Sequence, residues 1–331
     1  HPELACTLVD LAEQGEIAAQ AELLAAELRS NRIQEPADAK HEDQVALRQQ
    51  GRHVLRLSPI SPDLPDAPLR LEFRQRGVLD NLQWQPLARR APGAGEVEIR
   101  VAAAGLNFID VLDVLGLLPF ERQNELGGEC AGEIVAMGEG VEQFRVGDRV
   151  VAVVPGSFSR YVTTATDVVY ALPDTLNLQE AASLPLAFIT AAYTLQQVAK
   201  VQPGERILIH AAAGGTGMAA VPIAQQAGAE VFATASPGKW GTLRAMGIRH
   251  IYNSRTLDFA DAILRDTNGQ GVDVILNSLT GEGFIEKNLS VLANGARYLE
   301  ISKRDVWDEE RVERQYPNIA YHFVDLRSTL L

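Results

Sequence analysis

The stretch from Ile207 to Trp240, ILIHAAAGGTGMAAVPIAQQAGAEVFATASPGKW, has residue types and spacing suited to holding a phosphate. A short apolar run enters clustered glycines, turns amphipathic, then becomes a second apolar run. That order predicts strand, tight turn, helix and strand. The turn reads Ala212-x-Gly214-x-x-Gly217, a dinucleotide fingerprint with Ala in its first place. Gly214 lets the backbone approach a pyrophosphate, Gly217 lets the helix pack close to the strand, and the helix N-terminus supplies free N–H groups. Ala212, Gly214, Gly215 and Gly217 are therefore the expected cofactor-binding positions of the turn. Any tight strand-to-helix turn can show such glycines; here a strand precedes them and a helix follows, which makes the signal specific.

The choice between NAD and NADP falls at the end of the second strand. An NAD site needs an acid there for the ribose 2′-hydroxyl. The segment TASPGKW has none and offers Ser236 and Lys239, while Arg255 follows the third strand in NSRTLDF. Hydroxyls and cations suit a 2′-phosphate, so the expected cofactor is NADPH. Asn277, closing the fourth strand, completes the expected cofactor-binding set.

The elements that must position these residues alternate regularly. Six apolar strands, RILIHAA, EVFATA, HIYNS, VDVILNS, ARYLEIS and AYHFVDL, are separated by helical patterns between residues 196 and 331. They predict a doubly wound parallel sheet, giving an α/β fold. Residues 69–195 carry many short strands with glycine turns (EVEIRVAAAG, GGECAGEIVAMGEGV, FRVGDRVVAVV) and predict a β-rich domain. Residues 1–68 read as an extension: a helix in IAAQAELLAAELRSN, a polar linker RIQEPADAKHED, two short strands in VALRQQGRHVLRL, and the Pro-rich linker SPISPDLPDAP.

Composition narrows the function classes. The 331 residues carry a formal charge of −13, which argues against a nucleic-acid surface. No apolar run approaches the ~20 residues of a membrane span, and no signal peptide is visible. Cys6 and Cys130 form no cluster, so two buried thiols in a reducing, cytoplasmic setting are expected. The start without Met predicts a piece of a longer chain.

Together the motifs GVLDNLQW, PGAGEVEIRVAAAGLNFIDVLDVLG, GGECAGEIVAMGEGVEQFRVGDRV, PGSFSRYV, HAAAGGTGMAA, ATASPGKW, SRTLDFA, GVDVILNSL and LEISKRDV resemble the enoyl reductase domains of modular polyketide synthases. These lie on the quinone-reductase-like branch of the medium-chain dehydrogenase/reductase superfamily. The likeness covers residues 69–326 and implies a GroES-like substrate domain beside a Rossmann NADPH-binding domain. Residues 1–68 then look like the tail of a preceding structural ketoreductase region. The implied reaction is NADPH-dependent reduction of an enoyl thioester on an acyl carrier protein, among other domains of the synthase.

The resemblance also implies site residues. Asn107 in GLNF lies where the family places a side chain near nicotinamide and thioester. Lys303 matches the family's lysine proton donor or enolate stabiliser, and Asp325 its carboxylate partner. Both follow the carboxyl ends of parallel strands, where such sheets bind ligands. Zinc-dependent relatives need a His in a GHE segment; here it reads Gly127-Gly128-Glu129, so no metal is expected.

Three departures stand out. Leu117 and Leu118 occupy the stretch where many relatives carry a Tyr proton donor. Ile109 replaces a usual Arg. The sequence ends at VDLRSTLL, where relatives continue with a helix and strands. The first departure opens an alternative, a cyclopropanase in which hydride addition is followed by displacement of a γ-halide. A degenerate scaffold domain and a free-standing quinone reductase are further alternatives.

Overall fold

The computed structural model describes residues 8–11, 17–30, 44–48, 51–54, 67–120 and 125–326. Contacts divide the chain into two compact units, residues 1–65 and 66–331. In the first, β1 (Leu8–Leu11) pairs in parallel with β2 (Gln44–Arg48), which pairs antiparallel with β3 (Gly51–Val54); α1 (Ile17–Ser30) lies between β1 and β2 in the chain. The helix and the last two strands follow the sequence expectation. β1 does not: four residues show no period, and its bonds come from a segment more than thirty positions away. Cys6 and both linkers fall outside the described residues, apart from the last two residues of the Pro-rich one.

The second unit opens with the hairpin β4 (Leu69–Phe73) and β5 (Leu82–Pro86). An antiparallel sheet follows, of β6 (Glu96–Ala104), β7 (Glu129–Met137), β8 (Arg149–Val153), β9 (Tyr161–Ala165) and β10 (Val169–Ala171), in the order β10-β8-β7-β6-β9. Its strands alternate apolar and polar because one face is buried. Val97, Ile99, Ile134, Val150 and Val162 form the core with Cys130, whose thiol burial pushes up to about 12. Between β6 and β7 the chain makes the short helix α2 (Phe108–Val114), and after β10 come α3 (Leu178–Ala181), α4 (Pro185–Ala192) and a π-helical turn Tyr193–Val198.

The rest is the doubly wound sheet. β11 (Arg206–Ile209), α5 (Gly215–Gln226), β12 (Glu230–Ala235), α6 (Trp240–Ala245), β13 (His250–Asn253), α7 (Phe259–Asp266), β14 (Val272–Asn277), α8 (Phe284–Ser290), β15 (Leu292–Glu300), α9 (Glu309–Gln315) and β16 (Ala320–Phe323) alternate in sequence. The six strands are parallel, in the order β13-β12-β11-β14-β15-β16. Burial on both faces accounts for their continuous apolar runs. Ile207 and Ile209 face α5, together with Ala191 of α4 and Leu195 of the π turn; Leu208 faces Phe259, Ile263 and Leu289 on the opposite side. Among the described residues, no helix is long and apolar enough to cross a membrane.

Candidate functional site

The turn after β11 is shaped by backbone contacts. Ala211 sits in the left-handed region, φ +46°, held by its N–H to Thr234 Oγ1 (3.2 Å) and by Gly214 N–H donating to its carbonyl (2.8 Å). The left-handed residue is thus Ala211. Ala212 keeps a negative φ and its methyl packs in the core, which is why Ala serves in the first place of the fingerprint. A Cβ at Gly217 would lie 2.5 Å from both Ala211 O and Ala212 Cα, so only glycine lets α5 approach β11 this closely. A Cβ at Gly215 would meet nothing within 4 Å: the space before the first helical turn is open. The first N–H groups of α5 have no partner within the helix and point to that space.

Ser236 and Arg255 follow β12 and β13, whose ends are in register, Ala235 opposite Asn253. Ser236 O accepts Lys239 N–H (2.9 Å), closing a short turn, and Arg255 N–H donates to Asn253 Oδ1 (3.1 Å). The side chains of Lys239 and Arg255 are exposed and have no ion-pair partner among the described residues. The structure brings these three together on neighbouring strand ends. Asn277 departs from expectation. It is fully buried, its Nδ2 donates to Glu300 Oε2 (2.8 Å) and Leu279 O (3.0 Å), and its Oδ1 accepts from Leu279 N–H and Asn288 Nδ2 (both 3.2 Å). Its hydrogen-bonding groups are spent inside the protein, so its side chain does not reach a nucleotide.

Lys303 and Asp325 meet. The ammonium donates to Val324 O (3.0 Å), lies 3.8 Å from Asp325 Oδ1 and stands 4.7 Å from the centre of the Phe323 ring. Both side chains keep about a sixth of their surface exposed, 15 % and 17 %. They meet because β15 and β16 are parallel neighbours, with Glu300 opposite Phe323. Lys303 opens onto a cleft of about 500 Å³, walled on the other side by Gly116, Leu117, Leu118 and Pro119. Leu117 and Leu118 therefore line the same cleft as the lysine.

Asn107 begins the helix, α2, that leads to this wall. Its backbone N–H donates to Asp110 Oδ2 (3.1 Å), and its Nδ2 donates to Glu129 Oε1 (2.8 Å). Glu129 also accepts Leu186 N–H (2.8 Å) at the start of α4 and is 1 % exposed. Burial raises its carboxyl above the ordinary range, opposed by these two bonds. Sequence reasoning did not single out Glu129 as a partner of Asn107. The one signal for it was an acid opening the apolar strand ECAGEIV.

Comparison with known proteins extends the picture. Residues 93–174 match the alcohol dehydrogenase GroES-like domain family and residues 215–322 the zinc-binding dehydrogenase family. Among solved structures, the CurK enoyl reductase is 51 % identical, with a TM-score of 0.78 over 80 % of this chain and 83 % of its own. The CurF ER cyclopropanase from the curacin A biosynthetic pathway is 43 % identical, TM-score 0.75, over 80 % and 82 %. The Escherichia coli quinone oxidoreductase, complexed with NADPH, is 27 % identical, TM-score 0.71, over 78 % and 82 %. Among curated proteins, a phenolphthiocerol/phthiocerol polyketide synthase of Mycobacterium tuberculosis is 41 % identical over 93 % of this chain, which spans 15 % of that protein's length.

The zinc in one family description can be tested against the residues. Among the described residues, no three His, Cys, Asp or Glu side chains gather to hold a metal ion. Gly128 has no side chain with which to offer a donor at this position. The donor set does not fit zinc.

Proposed function

The chain belongs to the polyketide-synthase enoyl reductases of the medium-chain dehydrogenase/reductase type, and we propose that it reduces an α,β-unsaturated thioester carried by an acyl carrier protein, using NADPH and no metal. The observation that carries this reading is the Lys303–Asp325 pair, opening onto a cleft with one apolar wall at the carboxyl edge of a sheet with an open nucleotide turn. NADPH, when bound, supplies the hydride for the β carbon.

The chain's own groups divide the remaining work. The N–H groups at the start of α5 hold the pyrophosphate. Ser236, Lys239 and Arg255 hold the 2′-phosphate. Asn107, its Nδ2 anchored by Glu129, stands beside the nicotinamide or the thioester. Lys303 meets the negative charge that builds on the thioester oxygen and gives a proton to the α carbon, while Asp325 and Val324 O keep the ammonium in place. Leu106 and Phe108, exposed on either side of Asn107, and Leu117 in the wall offer apolar surface for the acyl chain. A single turnover on a crotonyl thioester of an acyl carrier protein, read by mass spectrometry, tests the proposal. The acyl chain should gain two hydrogens as one NADPH is consumed; unchanged substrate with bound NADPH would defeat it.

Cofactor choice is tested separately. A charge-assisted hydrogen bond contributes ~1.5–3 kcal/mol, so Lys239→Ala or Arg255→Ala should weaken NADPH about tenfold or more while NADH binding hardly changes. Equal weakening of both nucleotides would remove these residues from the 2′-phosphate.

The leucine wall and the likeness to the CurF cyclopropanase favour a second reading. With a chloride on the γ carbon, the α carbon formed by hydride addition has two fates. Protonation keeps the chloride. Attack on the γ carbon forms the Cα–Cγ bond, expels chloride and closes a cyclopropane. An apolar wall without a tyrosine removes one acid and slows the first fate. A γ-chloro-enoyl thioester with NADPH distinguishes them: chloride release with an acyl chain two hydrogens lighter than the dechlorinated saturated product supports ring closure, and a product retaining chloride rejects it.

A further inference from the structure

Glu300, the last residue of β15, is fully buried, and no Lys or Arg among the described residues pairs with it. Burying a carboxylate this way is costly unless donors surround it. Its donors are all dipoles. Oε1 accepts the N–H (2.8 Å) and hydroxyl (2.5 Å) of Ser302; Oε2 accepts from Asn277 Nδ2 (2.8 Å) and, at 3.5 Å, from Tyr298 OH. Burial still raises its carboxyl above the ordinary range. An apolar residue would be cheaper at the end of a buried strand, so the carboxylate needs another explanation than stability.

Its position supplies one. Ser302, tied by two donors to Oε1, immediately precedes Lys303. The Glu300 backbone carbonyl accepts Val324 N–H (2.8 Å), and the Val324 carbonyl accepts the Lys303 ammonium (3.0 Å), with Asp325 next in the chain. One residue thus holds both segments of the Lys303–Asp325 pair: the first by its side chain, the second by its backbone.

The orientation of the network behind Glu300 can be deduced. Leu279 N–H fixes Asn277 Oδ1 as the acceptor, so Asn288 must present Nδ2 to it and Oδ1 to His210. His210 Nε2 therefore carries the hydrogen, and Nδ1 (3.0 Å) accepts from the Thr234 hydroxyl, which in turn accepts Ala211 N–H. Burial holds the ring pKa down to about 4, in keeping with this neutral form. Each group donates to the next, from the nucleotide turn at Ala211 to the carboxylate of Glu300. Such one-directional chains polarise their members and rigidify them.

We propose that Glu300 is a positioning residue for Lys303, and that the buried chain from Thr234 through His210, Asn288 and Asn277 ties the Lys303 loop to the nucleotide turn. The proposal rests on the role given to Lys303 above. It is tested with full-chain Glu300→Gln. The new amide must turn an NH₂ toward either the Ser302 N–H or the Asn277 NH₂, so one of the two contacts that hold this side chain is lost. Misplacing a reacting group by about 1 Å can cost 10²-fold. We expect kcat on a crotonyl thioester of pantetheine to fall about tenfold or more, with NADPH affinity within about threefold of wild type.

The double variant with Lys303→Ala separates positioning from general damage: it should be no slower than Lys303→Ala alone. Multiplying losses would overturn the proposal, as would a wild-type kcat in Glu300→Gln beside an impaired Lys303→Ala. A wild-type rate in Lys303→Ala would instead remove the reading of Lys303 on which the proposal depends. If Glu300→Gln does not fold, Ser302→Ala decides: kcat should fall about threefold and recover in Ser302→Thr, and an unchanged kcat in Ser302→Ala would overturn the idea.

Discussion

Replacing Lys303 by alanine is expected to lower kcat on an enoyl thioester about 100-fold while NADPH affinity stays within about threefold of wild type. General acid catalysis by a positioned side chain contributes ~10²–10⁴-fold. The low end applies because the cleft beside Lys303 is open and water can take over part of the proton delivery. The affinity should hold because the groups proposed to bind the phosphates lie at the start of α5 and beyond β12 and β13. Asp325→Asn should give a smaller loss, since Val324 O still accepts the ammonium at 3.0 Å. The two losses should not multiply in the double variant, because Asp325 acts through Lys303. Steady-state kinetics with a fluorescence titration of NADPH checks this. A wild-type rate in Lys303→Ala would take the pair out of the chemistry.

The second large effect is expected at Gly217. In Gly217→Ala the new methyl lies 2.5 Å from Ala211 O and Ala212 Cα, both backbone atoms that cannot swing aside. α5 must withdraw from β11, opening the core in which Ala219, Ala220 and Ala224 pack against the sheet. Overpacking of this kind costs ~1–3 kcal/mol, so the melting temperature should drop by several degrees. The helix N-terminus moves with it. Losing two charge-assisted bonds of ~1.5 kcal/mol each weakens NADPH about 100-fold. Gly215→Ala is the control. Its methyl enters open space, so stability should be unchanged while the methyl occupies the approach of the phosphate. NADPH affinity should fall in that variant without a change in melting temperature. Wild-type stability and affinity in Gly217→Ala would contradict the close-packing argument.

Much of the fold could be read from residue order because burial and periodicity are local properties. Six apolar runs separated by amphipathic stretches are the imprint of strands covered on both faces, and the parallel sheet has those six strands. The fingerprint around Gly217 was legible for the same reason: a close helix–strand approach leaves its mark within a few residues. So was the absence of an acid after β12. Lys239 and Arg255 came within view because each lies just beyond a strand end.

What the tertiary structure decided involves residues far apart in the chain. The Leu117–Leu118 wall faces Lys303 across 186 and 185 positions, and only the packing of one sheet beside the other sets that distance. Glu129, opening β7, and Asn107, capping α2, are bonded across 22 positions. Asn277 looked like a ligand from its place at a strand end, where side chains alternate between cleft and interior. A slip of one residue reverses that choice, and here the side chain turns inward to Glu300 and Asn288. Sequence alone determined the six strands of the parallel sheet and the turn after β11, because each follows from neighbours within one turn or one pleat. Which polar groups meet in the buried interior was decided by the packed chain, because a hydrogen bond needs both partners within about 3 Å and periodicity carries no information at that range.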